Sequence, residues 1–278
     1  MSSEIRVGRF VVPYRVYEGP DSGTPIVCVN GAQQSMAAWL SFIKAFRGKF
    51  TVVTFDLPGQ GRSRIISGPD AIGFDEQVEA LGAVAHAIAG NRPVDVMGAS
   101  WGSVLAAAYA AKVPSAIRRL VLASLALRPN PAMVRAMEEG ITALRAGKKE
   151  LCSDIIVNSI GAQLPELMKK RIKDQFCALP ESQANSFYEH LVGCQTADLR
   201  ESIAFENISA DTLIVNGRHD SIVELQDVRK VAGIIPMCRH EIIENAGHFL
   251  HFEDPAILDL YRAHFGYPEA CEELGVQA

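Results

Sequence analysis

Three side chains far apart in the sequence carry the chemistry open to this chain. Ser100 lies in Gly98-Ala99-Ser100-Trp101-Gly102, between a short apolar run at 94–97 and an alanine-rich segment at 103–112. A serine on a sharp strand-to-helix turn holds its hydroxyl clear of the backbone, and the flanking glycines leave room for the neighbouring strand and helix. The start of the following helix supplies unpaired N–H groups and a positive dipole end, suited to a developing oxyanion. His248 follows Gly247 in Glu244-Asn245-Ala246-Gly247-His248-Phe249, and Asp220 ends Asn216-Gly217-Arg218-His219-Asp220. An imidazole with an ordinary pKa of about 6.5 can take the serine proton at neutral pH. A carboxylate can hold that ring in the correct tautomer and stabilise the imidazolium. The expected chemistry is acyl transfer through a covalent serine ester.

Each residue alone has a plainer reading. His248 would serve as a loop histidine, and Asp220 as an N-cap for the helix after it. Their order, Ser then Asp then His, with each at the end of an apolar run, favours the joint reading. Glu224 is the competitor to Asp220, and His251 the reserve for His248; His86, His190, His219, His240 and His264 are expected to be structural or solvated. No acid follows the strand at 120–123, where Ser124-Leu125-Ala126 stands. Asn30-Gly31-Ala32 follows the run at 26–29, so the Ala32 N–H is expected to join that of Trp101 in an oxyanion hole, with Asn30 on the substrate. Asn-Gly is also a common simple turn.

The elements that must position these groups follow from the hydrophobic periodicity. Strands are expected at 5–12 and 14–18, broken by Pro13, and at 26–29, 51–55, 94–97, 120–123, 212–215 and 241–243. A turn is expected at 19–23. Helices are expected at 36–46, 74–89, 103–112, 221–231 and 256–265. Strands alternating with helices at this density predict an α/β fold with a doubly wound, mostly parallel sheet. The alternation stops near Leu127, and only helix-like segments follow, at 133–144, 151–160, 164–176, 186–192 and 199–205. Two domains are therefore expected: a core of residues 1–126 and 207–278, and an all-helical lid insertion of residues 127–206. Met133, Met137, Leu164, Leu167, Met168, Phe176 and Phe187 in that insertion, with Phe249 beside His248, are expected to line an alkyl-chain tunnel, or equally to bury the lid helices' own apolar faces. The tail after Tyr267 is polar and expected to fray.

With 278 residues, 48% of them hydrophobic, the chain can bury a large core, and a net charge of −5 disfavours nucleic acid or an anionic membrane as partner. No run of 18 apolar residues occurs, and residues 1–10 lack the apolar segment expected of a signal peptide. The six cysteines are scattered with no C-x-x-C pair, and Cys28 and Cys238 lie in or beside apolar runs. A reduced cytoplasmic protein without disulfides, metal site or cofactor is implied. One basic cluster, Lys169-Lys170-Arg171 with Lys173, could meet an acidic carrier protein or the phosphates of coenzyme A, or simply be a solvated helix face.

Gly98 to Gly102, Asp56-Leu-Pro-Gly-Gln-Gly-Arg-Ser63, Asp220 and Gly247-His248-Phe249 together resemble the α/β-hydrolase superfamily over most of the chain. Serine rather than aspartate at 100 separates it from the haloalkane dehalogenase and epoxide hydrolase branches. Val-Asn-Gly-Ala at the oxyanion loop, Ser-Trp-Gly at the elbow, residues 157–171, Ile-Val-Asn-Gly in the late strand and Gly-His-Phe-Leu look like bacterial acyltransferases that handle 3-hydroxyacyl chains. Those include the hydroxyalkanoyloxyalkanoate synthase of rhamnolipid synthesis and the 3-hydroxyacyl carrier-protein:CoA transacylase. The resemblance implies an acyl substrate delivered as a carrier-protein or coenzyme A thioester. Alternatives are a carboxylester hydrolase or thioesterase using water, and a non-catalytic ligand-binding protein on the same fold.

Overall fold

The structure is a computed structural model that describes residues 2–19 and 23–266. The first part of the chain forms β1 (Ser2–Val7), β2 (Phe10–Tyr17), β3 (Ile26–Val29), α1 (Leu40–Phe46), β4 (Val52–Phe55) and β5 (Arg64–Ile65). There follow α2 (Phe74–Ala89), β6 (Val94–Ala99), α3 (Trp101–Lys112) and β7 (Ile117–Ala123). Four helices come next: α4 (Pro131–Arg145), α5 (Lys149–Ser159), α6 (Glu166–Cys177) and α7 (Glu181–Cys194). The chain then makes β8 (Asp211–Gly217), α8 (Leu225–Ala232), β9 (Cys238–Ile243), α9 (Leu250–Glu253) and α10 (Ile257–Phe265).

The strands form one sheet in the order β1-β2-β4-β3-β6-β7-β8-β9, with β5 beside β2. β1, β2 and β5 pair antiparallel, and everything from β4 to β9 is parallel. Successive side chains of a strand point to opposite faces, so a strand covered on both sides reads as a continuous apolar run. In β3, Val27 and Val29 belong to the core layer that also holds side chains of α2, α3 and α8, while Ile26 and Cys28 belong to the opposite layer with those of α1 and α10. β7 repeats the pattern, Leu120 and Leu122 to one side, Val121 and Ala123 to the other. Helices therefore cover both faces of a doubly wound sheet.

Several boundaries differ from the sequence expectation, each for a local reason. The first break falls at Gly8, which takes φ +52, and Pro13 lies inside β2. Pro13 sits just past the last β2–β4 pair, Tyr14 with Phe55, and contributes only its carbonyl, which accepts from the Asp56 N–H. Residues 36–39 wind as a 3₁₀ turn before α1. α6 starts after Pro165, because the residue ahead of a proline is pushed out of the helical region. α8 starts at Leu225, since the chain turns through Asp220 and Ser221 first. The helix expected at 199–205 is absent: Asp198 accepts from the N–H and guanidinium of Arg200 and the chain turns. Part of the turn expected at 19–23, and the tail from 267 onward, lie outside the described residues.

α4 to α7 run in succession between β7 and β8, closed at the base where the Leu199 N–H donates to Leu127 O. Hydrogen bonds tie this region to loops at the carboxyl ends of strands. Gln183 Nε2 donates to Gly61 O, Ser186 Oγ to Asp70 O, and Ser221 Oγ to Ser159 O. No helix among the described residues is long and apolar enough to cross a membrane.

Candidate functional site

Ser100 ends β6 in the middle of the sheet and caps α3 with φ 53° and ψ −123°, a left-handed strain that a non-glycine residue adopts only where its surroundings fix it. Those surroundings are tight. A Cβ on Gly98 would lie 2.5 Å from Gly102 O, and one on Gly102 would lie 2.2 Å from Val29 O, so both positions exclude any side chain. The Ser100 N–H donates to Ala123 O at 2.8 Å, which pins the turn to β7.

Asp220 follows β8 and His248 follows β9. The structure brings both to Ser100: His248 Nε2 lies 2.8 Å from Ser100 Oγ, and His248 Nδ1 lies 2.7 Å from Asp220 Oδ2. Asp220 Oδ1 also accepts from the Ile222 N–H at 3.1 Å, so the carboxylate is oriented by the backbone. Glu224 stands at the N-cap of α8 rather than at the histidine. Both Asp220 and His248 are buried. Burial is the largest single influence on the His248 ring and disfavours its charged form. The charge and hydrogen bond of Asp220, with the charge of Glu253, together outweigh it and hold the ring above its ordinary value.

Two residues that support His248 gave no sequence signal. Ser124, itself at φ 52°, donates its hydroxyl to the His248 carbonyl at 2.6 Å. Glu253 on α9 accepts from the N–H groups on both sides of the histidine, that of Gly247 through Oε2 and that of Phe249 through Oε1 at 3.1 Å. Changing Glu253 to Gln replaces one acceptor with an amide donor and removes a charge that favours the imidazolium. The acid limb of the kcat/KM profile is expected to move to lower pH, with kcat reduced about tenfold. A pH titration of kcat/KM checks this, since a purely structural role would lower activity without moving the limb.

The loop after β3 carries the other half of the site. The Gly31 N–H donates to Gln34 Oε1 at 3.0 Å, whereas the backbone N–H groups of Ala32 and Trp101 have no acceptor among the described residues. Ala32, Ser100 and Trp101 line one cavity. The Asp56 carboxylate ties this loop to the glycine-rich stretch after β4, accepting from the N–H groups of Met36 at 2.7 Å and Arg62 at 2.8 Å. Its burial raises its pKa despite those bonds. Asn30 does not reach the cavity. It is fully buried, with Nδ2 donating to Phe55 O and Oδ1 accepting from Trp39 Nε1, so its amide is spent in holding the loop.

The cavity beside Ser100 has a volume of about 620 Å³, and its walls are mostly aliphatic and aromatic. Met133, Met137, Met168, Phe176, Phe187 and Phe249 all line it. Leu164 and Leu167 do not: Leu164 is buried in the turn at Gly161, and Leu167 is exposed on the outer face of α6. The basic cluster also resolves into unlike parts. Lys169, Lys170 and Lys173 pair with Glu166, Asp174 and Asp154, while Arg171 lines the cavity with no ion pair among the described residues. A second cavity of about 30 Å³ adjoins Ser100 and His248 and is lined in part by Gln34 and His251. His251 stacks near Trp39, its pKa is pushed down to about 4 by burial, and its Nε2 has no partner among the described residues.

A family model described as alpha/beta hydrolase fold matches residues 24–255. The (R)-3-hydroxydecanoyl-ACP:CoA transacylase of Pseudomonas aeruginosa is 26% identical over 252 residues, covering 90% of this chain and 83% of that protein. Monoacylglycerol lipase abhd6-B of Xenopus laevis is 23% identical over 265 residues, covering 89% of this chain and 77% of that protein. Among solved structures, MGS-M2, an alpha/beta hydrolase enzyme from a Medee basin deep-sea metagenome library, superposes with a TM-score of 0.81. It is 20% identical and covers 98% of this chain and all of its own.

Proposed function

The chain belongs to the alpha/beta hydrolase fold family and is an enzyme of that fold; from that premise we propose that it transfers acyl groups through an ester on Ser100, with 3-hydroxyacyl thioesters as donors. The carrying observation is the hydrogen-bonded file Ser100–His248–Asp220 at the floor of a carbon-lined cavity large enough for an alkyl chain. His248 takes the hydroxyl proton as Ser100 attacks the thioester carbonyl. The N–H groups of Ala32 and Trp101 receive the oxyanion, and His248 returns the proton to the departing thiol. The free thiol leaves, an acceptor enters, and His248 activates it against the acyl ester. Residues 127–206 act as a lid whose exclusion of water favours transfer over hydrolysis. The likeness to a carrier-protein:CoA transacylase supports a thioester donor, and Arg171 at the cavity supplies a cation for a phosphate-bearing carrier arm. The free thiols at Cys28, Cys152, Cys177, Cys194 and Cys238 fit the reducing cytoplasm in which we set this reaction.

A second reading, hydrolysis, is favoured by the small cavity between Gln34, His248 and His251. About 10–15 Å³ suffices for one water, and the few polar side chains in a mainly carbon wall, Gln34 and His251 among them, would hold it beside the ester. Incubation with 3-hydroxydecanoyl-coenzyme A, followed by mass spectrometry of protein and products, separates the readings. An acyl adduct on Ser100 with exchanged thioester or dimeric ester is expected. Free acid alone would leave hydrolysis, and no adduct together with no turnover would overturn both.

A further inference from the structure

Several polar side chains on the large cavity's wall have partners, although Arg171 has no ion pair and Gln33 Oε1 and Ser41 Oγ have no hydrogen-bond partner among the described residues. Ser100 and His248 belong to the reacting file, Gln34 holds Gly31, Gln33 donates to Gln183 O, and Arg128 pairs with Asp227. His190, on α7, is set apart by its place against the residue that follows Ser100. Its ring lies edge-on to Trp101 at 4.6 Å between centroids and roughly parallel to Phe187 at 6.2 Å. Trp101 is the residue next to the nucleophile, and its own indole N–H is satisfied by Gln77. The one polar neighbour of His190 among the described residues is the Cys194 thiol, 3.6 Å from Nε2 and 3.8 Å from Nδ1.

That contact leaves the imidazole short of partners. Enclosure pushes its pKa down to about 4, so at neutral pH one ring nitrogen donates and the other accepts. A thiol is a weak partner for either, and a single sulfur beside the ring cannot serve both in line. At least one nitrogen of this half-buried ring therefore has no strong partner in the protein, at the wall of a cavity lined mainly by carbon. Packing alone would be met by a phenyl ring at this position. A hydroxyl is the simplest substituent that both donates and accepts, so it satisfies a neutral imidazole in either tautomer.

We propose that His190 is a specificity residue that binds a hydroxyl carried on the acyl chain, one side chain away from the elbow. This rests on the acyl-transfer reading above and names what distinguishes its substrate. A site built to hydrogen-bond a hydroxyl discriminates against the analogue lacking it, because its own polar group is then left unpaired.

The test compares the coenzyme A thioesters of 3-hydroxydecanoate and decanoate in the full-length protein, measuring kcat/KM for each. In His190→Phe, which keeps a ring against Trp101, the hydroxyacyl-to-acyl ratio is expected to fall about tenfold, the value of one hydrogen bond. His190→Gln, which retains a donor and an acceptor, is expected to restore part of the ratio. An unchanged ratio in His190→Phe overturns the assignment, as does an equal loss on both substrates in both variants, which would mark a packing role. Mass spectrometry of the wild-type protein keeps the two levels apart. An adduct on Ser100 with an unchanged ratio removes His190 alone, whereas no adduct from either thioester removes the acyl-transfer reading and this assignment with it.

Discussion

Replacing Ser100 with alanine is expected to lower turnover of any ester or thioester substrate by about 10⁴-fold or more. That is about 5.4 kcal/mol of transition-state stabilisation at about 1.36 kcal/mol per decade. Ser100 Oγ is the atom to which His248 Nε2 points at 2.8 Å, and its loss leaves the imidazole with nothing to deprotonate except an unpositioned water. The oxyanion N–H groups and the cavity survive, so a residual rate above background should remain. The fold should be indifferent to the change. The Ser100 side chain makes no capping bond to α3, its strained φ of 53° is imposed by the backbone bond to Ala123 O, and alanine bears that strain as serine does. Steady-state turnover, fluorophosphonate labelling and a thermal melt on the same preparation check this. Label on the variant, or turnover within tenfold of wild type, would remove Ser100 from the mechanism.

The fold, and the three side chains that it brings together at Ser100, were legible in the sequence because each is written locally. Continuous apolar runs such as Ile26–Val29 require cover on both faces, and the two glycines around Ser100 sit where only backbone fits. What was illegible depends on partners distant in sequence or on local competition. Asn30 beside a glycine looks like a substrate group, yet its amide is consumed by Trp39 and by Phe55 from the next strand. Glu253 has no motif; its role exists only because α9 turns its carboxylate back onto the loop at Gly247. His190, expected to be structural or solvated, lies edge-on to Trp101 only because the fold sets α7 there. The segment at 199–205 has the apolar spacing of a helix, but a piece that short is hard to nucleate. Asp198 meanwhile offers its side chain to Arg200 and its carbonyl to the Ser202 hydroxyl, bonds that compete with helical ones.

Changing Asp220 to asparagine is expected to cost nearly as much as losing the nucleophile, about 10⁴-fold in kcat, although only one oxygen becomes a nitrogen. The reason is directional. Oδ1 is held by the Ile222 N–H at 3.1 Å, so the amide oxygen of asparagine keeps that position and its NH₂ must turn to His248 Nδ1. A donor facing Nδ1 obliges that nitrogen to accept, which places the ring proton on Nε2, aimed at Ser100 Oγ. In that tautomer His248 cannot take the serine proton. The pH dependence carries the same signature with a definite sign. In the native protein His248 is held above its ordinary value by Asp220 and Glu253 against burial, and as general base it works only when neutral, so activity falls as pH drops through that raised value. Without the Asp220 charge, burial opposes protonation with less to counter it, and the acid limb of the residual activity is expected to shift to lower pH. A kcat/KM profile of the variant, with melting temperature as control, checks both. A variant of normal stability that keeps its rate and its acid limb would show that the carboxylate merely fills space, and the order of proton transfers proposed for Ser100 would fall with it.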